Sequence, residues 1–274
     1  MHGTPPERVA AQPPRAAVDC SNSFLRALPP TGGRGTLPVV KSDFAGVHAK
    51  FPAAAEYLSS IYILNRDYGH VSNTRLAEWS GVSSSAVTQA LGRLKRLGLA
   101  RQEPYGDIEL TDEGRDLAIR VLRRHYLLEH LLVRVLGYPW DKADDEAQTL
   151  QSAISDDLTE HLYRKLGAPQ TCPHGNPMPE SPIEPKLLAA PRLGEAPVGS
   201  RVTILRITEE GEQIPHMLEF CFTHGIQPGA VFLVVARGDK EIELRGEGRE
   251  EGTFSIAADR ALHIRYEGPD IPQS

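Results

Sequence analysis

A mainly α N-terminal part built on a winged helix-turn-helix, followed by a small C-terminal β domain, is the fold that this 274-residue sequence predicts. Three observations carry the expectation. Apolar residues recur at helical spacing from about 45 to 166. Two short helices and a hairpin follow one another between residues 73 and 110. Past residue 200 the pattern changes to short strand-like runs punctuated by glycines.

In chain order, residues 1–43 are rich in Pro, Gly, Ala and Arg without a sustained period, the composition of a disordered tail. Ala54, Leu58, Ile61 and Tyr62 lie at i, i+4, i+7 and i+8 and mark the first amphipathic helix. A short helix over Asn73–Ser80 and a turn at Gly81-Val82 come next. A run of serines can then cap a second helix striped by Val87, Leu91 and Leu94. That helix ends near Leu97-Gly98, and Leu99–Leu110 follows as strand, turn and strand. Residues 44–112 thus form the predicted winged helix-turn-helix domain.

Thr111-Asp112-Glu113-Gly114 opens a long helix carrying Leu117, Val121, Leu128, Leu131, Leu132 and Val135. One further helix is expected from about Asp141 to Leu166, striped by Ala147, Leu150, Ile154, Leu158 and Leu162. Together they make a helical domain over 113–167. Residues 168–199 are proline-rich with little period and predict a linker. Over 200–268, Val202–Ile207, Val231–Ala236, Ile242–Leu244, Phe254–Ile256 and Leu262–Tyr266 predict strands, with a helical segment near Ile214–His224. Such short strands suit a small barrel-like domain.

Composition narrows the function. A hydrophobic content of 40% and a charged content of 24% are those of an ordinary globular protein. No apolar run approaches the ~18 residues of a membrane span, so no membrane partner is expected. Cys20, Cys172 and Cys221 form no CxxC pair and the N-terminus lacks a secretory pattern, so a cytoplasmic location is expected. The net charge of −6 excludes a uniformly basic nucleic-acid binder, so a DNA surface must be local. Between Val71 and Arg101, five cations (Arg75, Arg93, Lys95, Arg96, Arg101) stand against one anion, Glu78. A helix fits the major groove and meets base edges with residues near its N-terminus. The face offered is Ser83, Ser84, Ser85, Thr88, Gln89, Gly92 and Arg93. Hydroxyls and amides bond base edges and phosphates, and Arg93 can pair with a phosphate or a guanine. No nucleophile–base–acid arrangement is visible, so an enzyme is not expected.

These residues carry a family resemblance. The run "EYLSSIYIL…VSNTRLAEWSGVSSSAVTQALGRLKRLGLARQEPYGDIELTDEGRDLA…RRHYLLEHLL", extended by "DDEAQTLQSAISDDLTEHL" and "HGNPMP", resembles the iron- and manganese-dependent repressors of the diphtheria toxin repressor family. It spans roughly residues 52–180, and the C-terminal domain is similar in type to the SH3-like domain of longer members. The resemblance implies a homodimeric repressor on a near-palindromic double-stranded DNA operator, controlling metal homeostasis genes in response to divalent manganese or iron. It implies that 113–167 is the dimerisation and metal-sensing domain, and that Arg75, Ser83, Ser85, Thr88, Gln89 and Arg93 sit at DNA.

His125 and Glu129 are four apart on one helix face, a spacing that suits an imidazole–carboxylate ligand pair. Both match family ligand positions. The resemblance adds Glu56 on the first helix, Asp144 where some members have histidine, and Glu209 and Glu212 from the β domain. The sequence departs from the family at Gln148, Gln151 and Ser152, which stand where Cys or Glu, Glu and His are expected. With Asp144 these lie at i, i+4, i+7 and i+8, but amide and hydroxyl oxygens are weak donors to a dication. One of two sites is therefore expected to be degenerate. Cys172 and His174, in the proline-rich stretch without a partner pair, are expected to lie outside any site. Cys221 is expected in the core, with His216 and His224 on the surface. The residues leave open a regulator that ignores metal, with His125–Glu129 a plain helix pair, and a protein-interaction scaffold that uses the β domain.

Overall fold

The computed structural model describes residues 47, 51, 53–104, 106–247 and 252–268. The N-terminal tail expected over 1–43 lies outside them. Helix α1 (Ala54–Tyr68) closes on Gly69, which takes the left-handed conformation at the C-cap. Helix α2 (Asn73–Trp79) starts at Ser72, whose side chain accepts from the Arg75 amide. Helix α3 (Ser84–Arg96) is capped by Ser83. Strands β1 (Ala100–Arg101) and β2 (Glu109–Leu110) pair antiparallel as the wing.

The long helix α4 (Asp112–His130) begins at the Thr111 cap. Its first turn presses on the loop ahead of β1. A Cβ on Gly114 would lie 1.9 Å from the Leu99 carbonyl oxygen, so only glycine fits there. Past His130 the helix widens into a π-turn, Leu131–Val135. The helix expected over 141–166 is in fact two, α5 (Ala143–Leu150) and α6 (Asp156–Lys165). The break has a local cause: Ser155 caps α6 by accepting from the Leu158 amide, with Asp156 and Asp157 in its first turn. Leu58, Ile61, Leu64, Leu76, Leu94, Leu99, Ile108, Leu117 and Leu127 share one core, so the winged helix and α4 pack as one body.

Residues 168–199, expected as a bare linker, are built into the fold. Thr171 bridges Pro177 and closes a tight turn, while α7 (Glu184–Ala189) buries Leu187. The turn runs against the β domain. A Cβ on Gly175, which has φ +95°, would lie 2.2 Å from the Leu205 carbonyl oxygen.

The β domain is a five-stranded antiparallel sheet in the order β6-β5-β4-β3-β7. Its strands are β3 (Arg201–Ile207), β4 (Val231–Arg237), β5 (Glu241–Gly246), β6 (Phe254–Ala257) and β7 (Ile264–Glu267). Register is set by inward pairs such as Val202 opposite Phe232 and Ile204 opposite Tyr266. Between β3 and β4 come a one-turn helix, α8 (Glu209–Glu212), and then α9 (Met217–His224). A last turn, α10 (Ala258–Ala261), precedes β7. Cys221 is buried and His216 exposed, as expected, while His224 is half-buried. Trp140, from the helical part, sits in the β-domain core with Met217, Phe232 and Ile264. Among the described residues, no helix is long and apolar enough to cross a membrane.

Candidate metal centre and nucleic-acid interface

The nucleic-acid face follows from how α3 divides itself. Val87, Ala90, Leu91 and Leu94 are buried, which leaves Ser84, Ser85, Thr88, Gln89 and Arg93 exposed beside the exposed cap Ser83. Ser83 Oγ accepts from the Ala86 amide at 3.2 Å and lies 2.9 Å from Ser85 Oγ. Thr88 Oγ1 donates to the Ser84 carbonyl at 2.9 Å. A rim of hydroxyls therefore surrounds the positive end of the helix, where phosphate oxygens are favoured. Arg93 stacks over Phe51, its guanidinium 5.3 Å from the ring centre. Gln102 ties the wing to α2 by donating to Asn73 Oδ1 at 2.8 Å.

Arg75 is engaged differently from the rest of this face. Its Nη2 donates to Glu210 Oε1 of the β domain at 2.8 Å, and its guanidinium lies over the Tyr68 ring at 4.6 Å.

The residues with ligand-type side chains gather where α4, the start of α5, the 171–177 turn and α8 meet. His125 Nε2 lies 2.9 Å from Asp144 Oδ1 and 3.0 Å from Glu129 Oε1. One turn further along α4, the other Glu129 oxygen lies 2.9 Å from His174 Nδ1, which is 3.7 Å from Glu212 Oε1. Among the described residues, two groups are close enough to hold an ion: His125–Glu129–Asp144, and Glu129–Cys172–His174. Glu129 belongs to both, and it and His174 are each 0% exposed.

Hydrogen bonding fixes what these atoms present. His174 Nε2 lies 3.0 Å from the Trp140 carbonyl oxygen. A carbonyl can only accept, so Nε2 carries a proton; in the neutral ring Nδ1 then offers a lone pair, while against burial the Glu129 carboxylate favours the imidazolium, protonated at both nitrogens. That lone pair meets Glu129 Oε2, which offers another. Both Glu129 oxygens and His174 Nδ1 are buried without a hydrogen bond of acceptable geometry. Lone pairs converging at such distances are stable with a proton or a cation between them. The donor set therefore fits a divalent ion.

Charge points the same way. Burial pushes the Glu212 carboxyl well above its usual range, and the neighbouring Glu209, Asp144 and Glu129 charges push it further. Burial raises Glu209 as well, against the pull of Arg66. Burial alone would lower His125, yet the hydrogen bond to Asp144 and the charges of Glu129 and Asp144 raise it well above the usual imidazole value. Burial and the surrounding carboxylates hold the Cys172 thiol high. Carboxylates crowded out of water require compensating positive charge.

The other expected positions fall around this centre. A cavity of about 230 Å³ opens beside it, lined among others by Glu56, Ser60, His125, Asp144, Gln148, Gln151, Glu209 and Glu212. Glu56 is exposed on α1 and belongs to neither ion-holding group. Glu209 accepts a hydrogen bond from Tyr126 and belongs to neither ion-holding group. Gln151 Nε2 donates to Gln148 Oε1 at 2.7 Å, so these amides satisfy one another. Ser152 does not continue their helical face, because α5 ends at Leu150 and Ser152 is exposed in the turn that follows.

Cys172 and His174, expected to lie outside any site, are brought beside Glu129. They were left out because no ligand pair lies near them in the chain, but their partner Glu129 comes from α4, more than forty positions earlier. The Cys-x-His spacing beside Gly175 was the available signal. A turn forced against β3 by that glycine points both side chains inward.

Known proteins resemble this chain along most of its described length. A family model described as "Iron dependent repressor, N-terminal DNA binding domain" matches residues 51–108. A second, "Iron dependent repressor, metal binding and dimerisation domain", matches residues 111–180. The iron-dependent repressor IdeR of Mycobacterium tuberculosis is 35% identical over 183 residues, covering 64% of this chain and 80% of that protein. The diphtheria toxin repressor of Corynebacterium jeikeium is 31% identical over 204 residues, covering 67% of this chain and 85% of the relative. A solved manganese-dependent transcriptional repressor in complex with manganese superposes with a TM-score of 0.66 at 32% identity, over 79% of this chain and 100% of the other. ScaR with bound Zn2+ superposes with a TM-score of 0.62 at 26% identity, covering 78% and 98% of the two chains.

Proposed function

Because the chain belongs to the iron-dependent repressor family, we propose that it is a homodimeric transcriptional repressor whose DNA binding answers to divalent manganese or iron. The observation that carries this reading is the convergence on Glu129. One carboxylate, buried at the end of the helix that follows the wing, faces His125 and Asp144 on one side and His174 and Cys172 on the other. A bound dication supplies the positive charge that this cluster of lone pairs calls for. His125, Glu129, Asp144, His174 and Cys172 would hold it, with Glu212 adjoining. Carboxylate and imidazole donors outnumber the single thiol, which suits manganese or ferrous iron.

The residues do the rest. His125 and Glu129 ride on α4 and His174 on a turn fixed to β3, so closing this cluster fixes the β domain against the helical body. In a two-fold dimer the α3 helices, presenting Ser83, Ser84, Ser85, Thr88, Gln89 and Arg93, would meet successive major grooves about one DNA turn apart, ~34 Å. A two-fold protein pairs with a near-palindromic operator, and metal homeostasis genes are the expected targets. One observation favours a reduced metal response: Gln148 and Gln151 bond each other and Ser152 points to solvent, so the α5 side of the cavity offers no strong ligand beyond Asp144.

The test is a gel-retardation titration of the full chain against a duplex enriched by the manganese-loaded protein from a randomised pool, in chelator and in manganese. Tighter binding with manganese is expected, weakening steeply with salt at a log–log slope of about −0.9 per phosphate contact. Equal affinity with and without manganese would leave a metal-independent regulator, and failure to enrich any duplex would leave a scaffold.

A further inference from the structure

Helix α8 has two working faces. Glu209 and Glu212, three apart, line the cavity at the metal centre. Glu210 and Gln213, also three apart, reach α2, the first helix of the DNA-reading motif. Glu210 accepts from Arg75 at 2.8 Å and from the Tyr68 hydroxyl. Gln213 faces Trp79, four residues along α2 from Arg75: with its side-chain amide in the orientation that satisfies both contacts, its nitrogen donates to the Trp79 carbonyl at 3.1 Å and its oxygen accepts from Trp79 Nε1 at 3.2 Å. Positions 75 and 79 of one helix thus interlock with positions 210 and 213 of the other.

The helix between these faces has little freedom. Thr208 caps it, accepting from the Gly211 amide at 3.1 Å. A Cβ on Gly211 would lie 2.8 Å from His263 Cβ, so α8 is wedged against the residue just before β7. A second polar line runs in parallel. Asn176 donates to Glu212 Oε1 at 2.5 Å, Arg206 donates to Asn176 Oδ1 at 3.1 Å, and Arg206 reaches Asp67 at the end of α1 at 3.2 Å.

We propose that α8 couples the metal centre to the DNA-reading head, with Glu210 and Gln213 as the positioning residues that hold α2 in its DNA-competent place. This rests on the function proposed above. A shift of Glu209 and Glu212 by one turn-height or less moves Glu210 and Gln213 with them, since all four ride on a single helical turn and its cap. The coupling is positive in sign: drawing Glu209 and Glu212 toward the centre seats Arg75 and Trp79. Arg75 keeps 34% of its side chain exposed while so held, which leaves a guanidinium edge for a phosphate.

The experiment compares the full chain with Glu210→Gln, with Gln213→Leu and with both together. Three quantities are measured for each: manganese affinity without DNA, affinity for the enriched duplex in chelator, and affinity for it in saturating manganese. In the parent chain the ratio of the last two is expected between roughly 5 and 150, and DNA must raise manganese affinity by the same factor. In the double variant both factors fall toward one, while manganese affinity without DNA and duplex affinity in chelator stay at the parent's values. A merely structural role would lower thermal stability without collapsing the two reciprocal factors together. A parent that responds to manganese and a double variant that responds equally would overturn the proposal. So would a variant that binds the duplex more tightly in chelator, since α8 would then be restraining the head. Glu210→Gln alone preserves shape and serves should the double variant fold poorly. A parent with no manganese response would instead overturn the proposed function itself.

Discussion

His174 and Gly175 carry the residue-scale argument. Nδ1 of His174 is aimed at Glu129 because Nε2 is spent on the Trp140 carbonyl and because the turn cannot relax away from β3. His174→Ala is expected to weaken manganese binding by at least ~10-fold, measured by calorimetry on the full chain. An unchanged affinity would place the ion entirely on the Asp144 side. Gly175→Ala puts a methyl into the Leu205 carbonyl at a positive φ and is expected to cost ~1–3 kcal/mol or more, read as a fall in denaturation midpoint. His125 and Glu129 were legible from spacing alone. Cys172 and His174 were not, since their Cys-x-His spacing names no partner and Glu129 comes from α4, far back in the chain.

Among the elements, α3 was the most transparent to sequence reasoning. Its serine cap, its Val87–Leu91–Leu94 stripe and its glycine exit each state one boundary or face, and together they leave a single exposed surface. Gln89→Ala and Arg93→Ala are expected to weaken duplex binding by ~1–3 kcal/mol each if they meet bases or phosphates. Parent-like affinity in both would mean that another face of the head meets DNA. The helix expected over 141–166 shows where periodicity misleads. Ala147, Leu150, Ile154 and Leu158 keep an apolar stripe across a gap, while the Ser155-Asp156-Asp157 start signal sits inside it. Capping chemistry outranked the stripe there. The consequence reached the site, because ending α5 at Leu150 removes Ser152 from the face it was expected to share.

For the whole molecule, two of the hydrophobic cores among the described residues explain why composition misjudged 168–199. Proline content signals a lack of regular hydrogen bonding, which is true of the 171–177 turn. It says nothing about burial, and this turn carries Cys172 into one core and His174 against Trp140 of the other. An ion held between α4 and that turn would bind only the assembled chain. Manganese at 100 times its dissociation constant is then expected to stabilise the fold by ~2.7 kcal/mol. For a chain of this size that is a rise of roughly 5–10 °C in the melting midpoint by calorimetry. No rise would mean that the centre is equally formed in the unfolded chain or binds no ion.

The chain has two tryptophans, and the structure sets them at opposite ends of α8's reach. Trp140 stands edge-on to His174, ring centres 4.5 Å apart, while Trp79 is gripped by Gln213. An indole's emission colour and yield follow the polarity and quenchers around it. The protein is therefore born with one optical reporter at its ion-holding end and one at its reading end. Replacing either ring by phenylalanine isolates the other, so the order in which the two ends respond to manganese can be timed in a stopped-flow trace without attaching a dye.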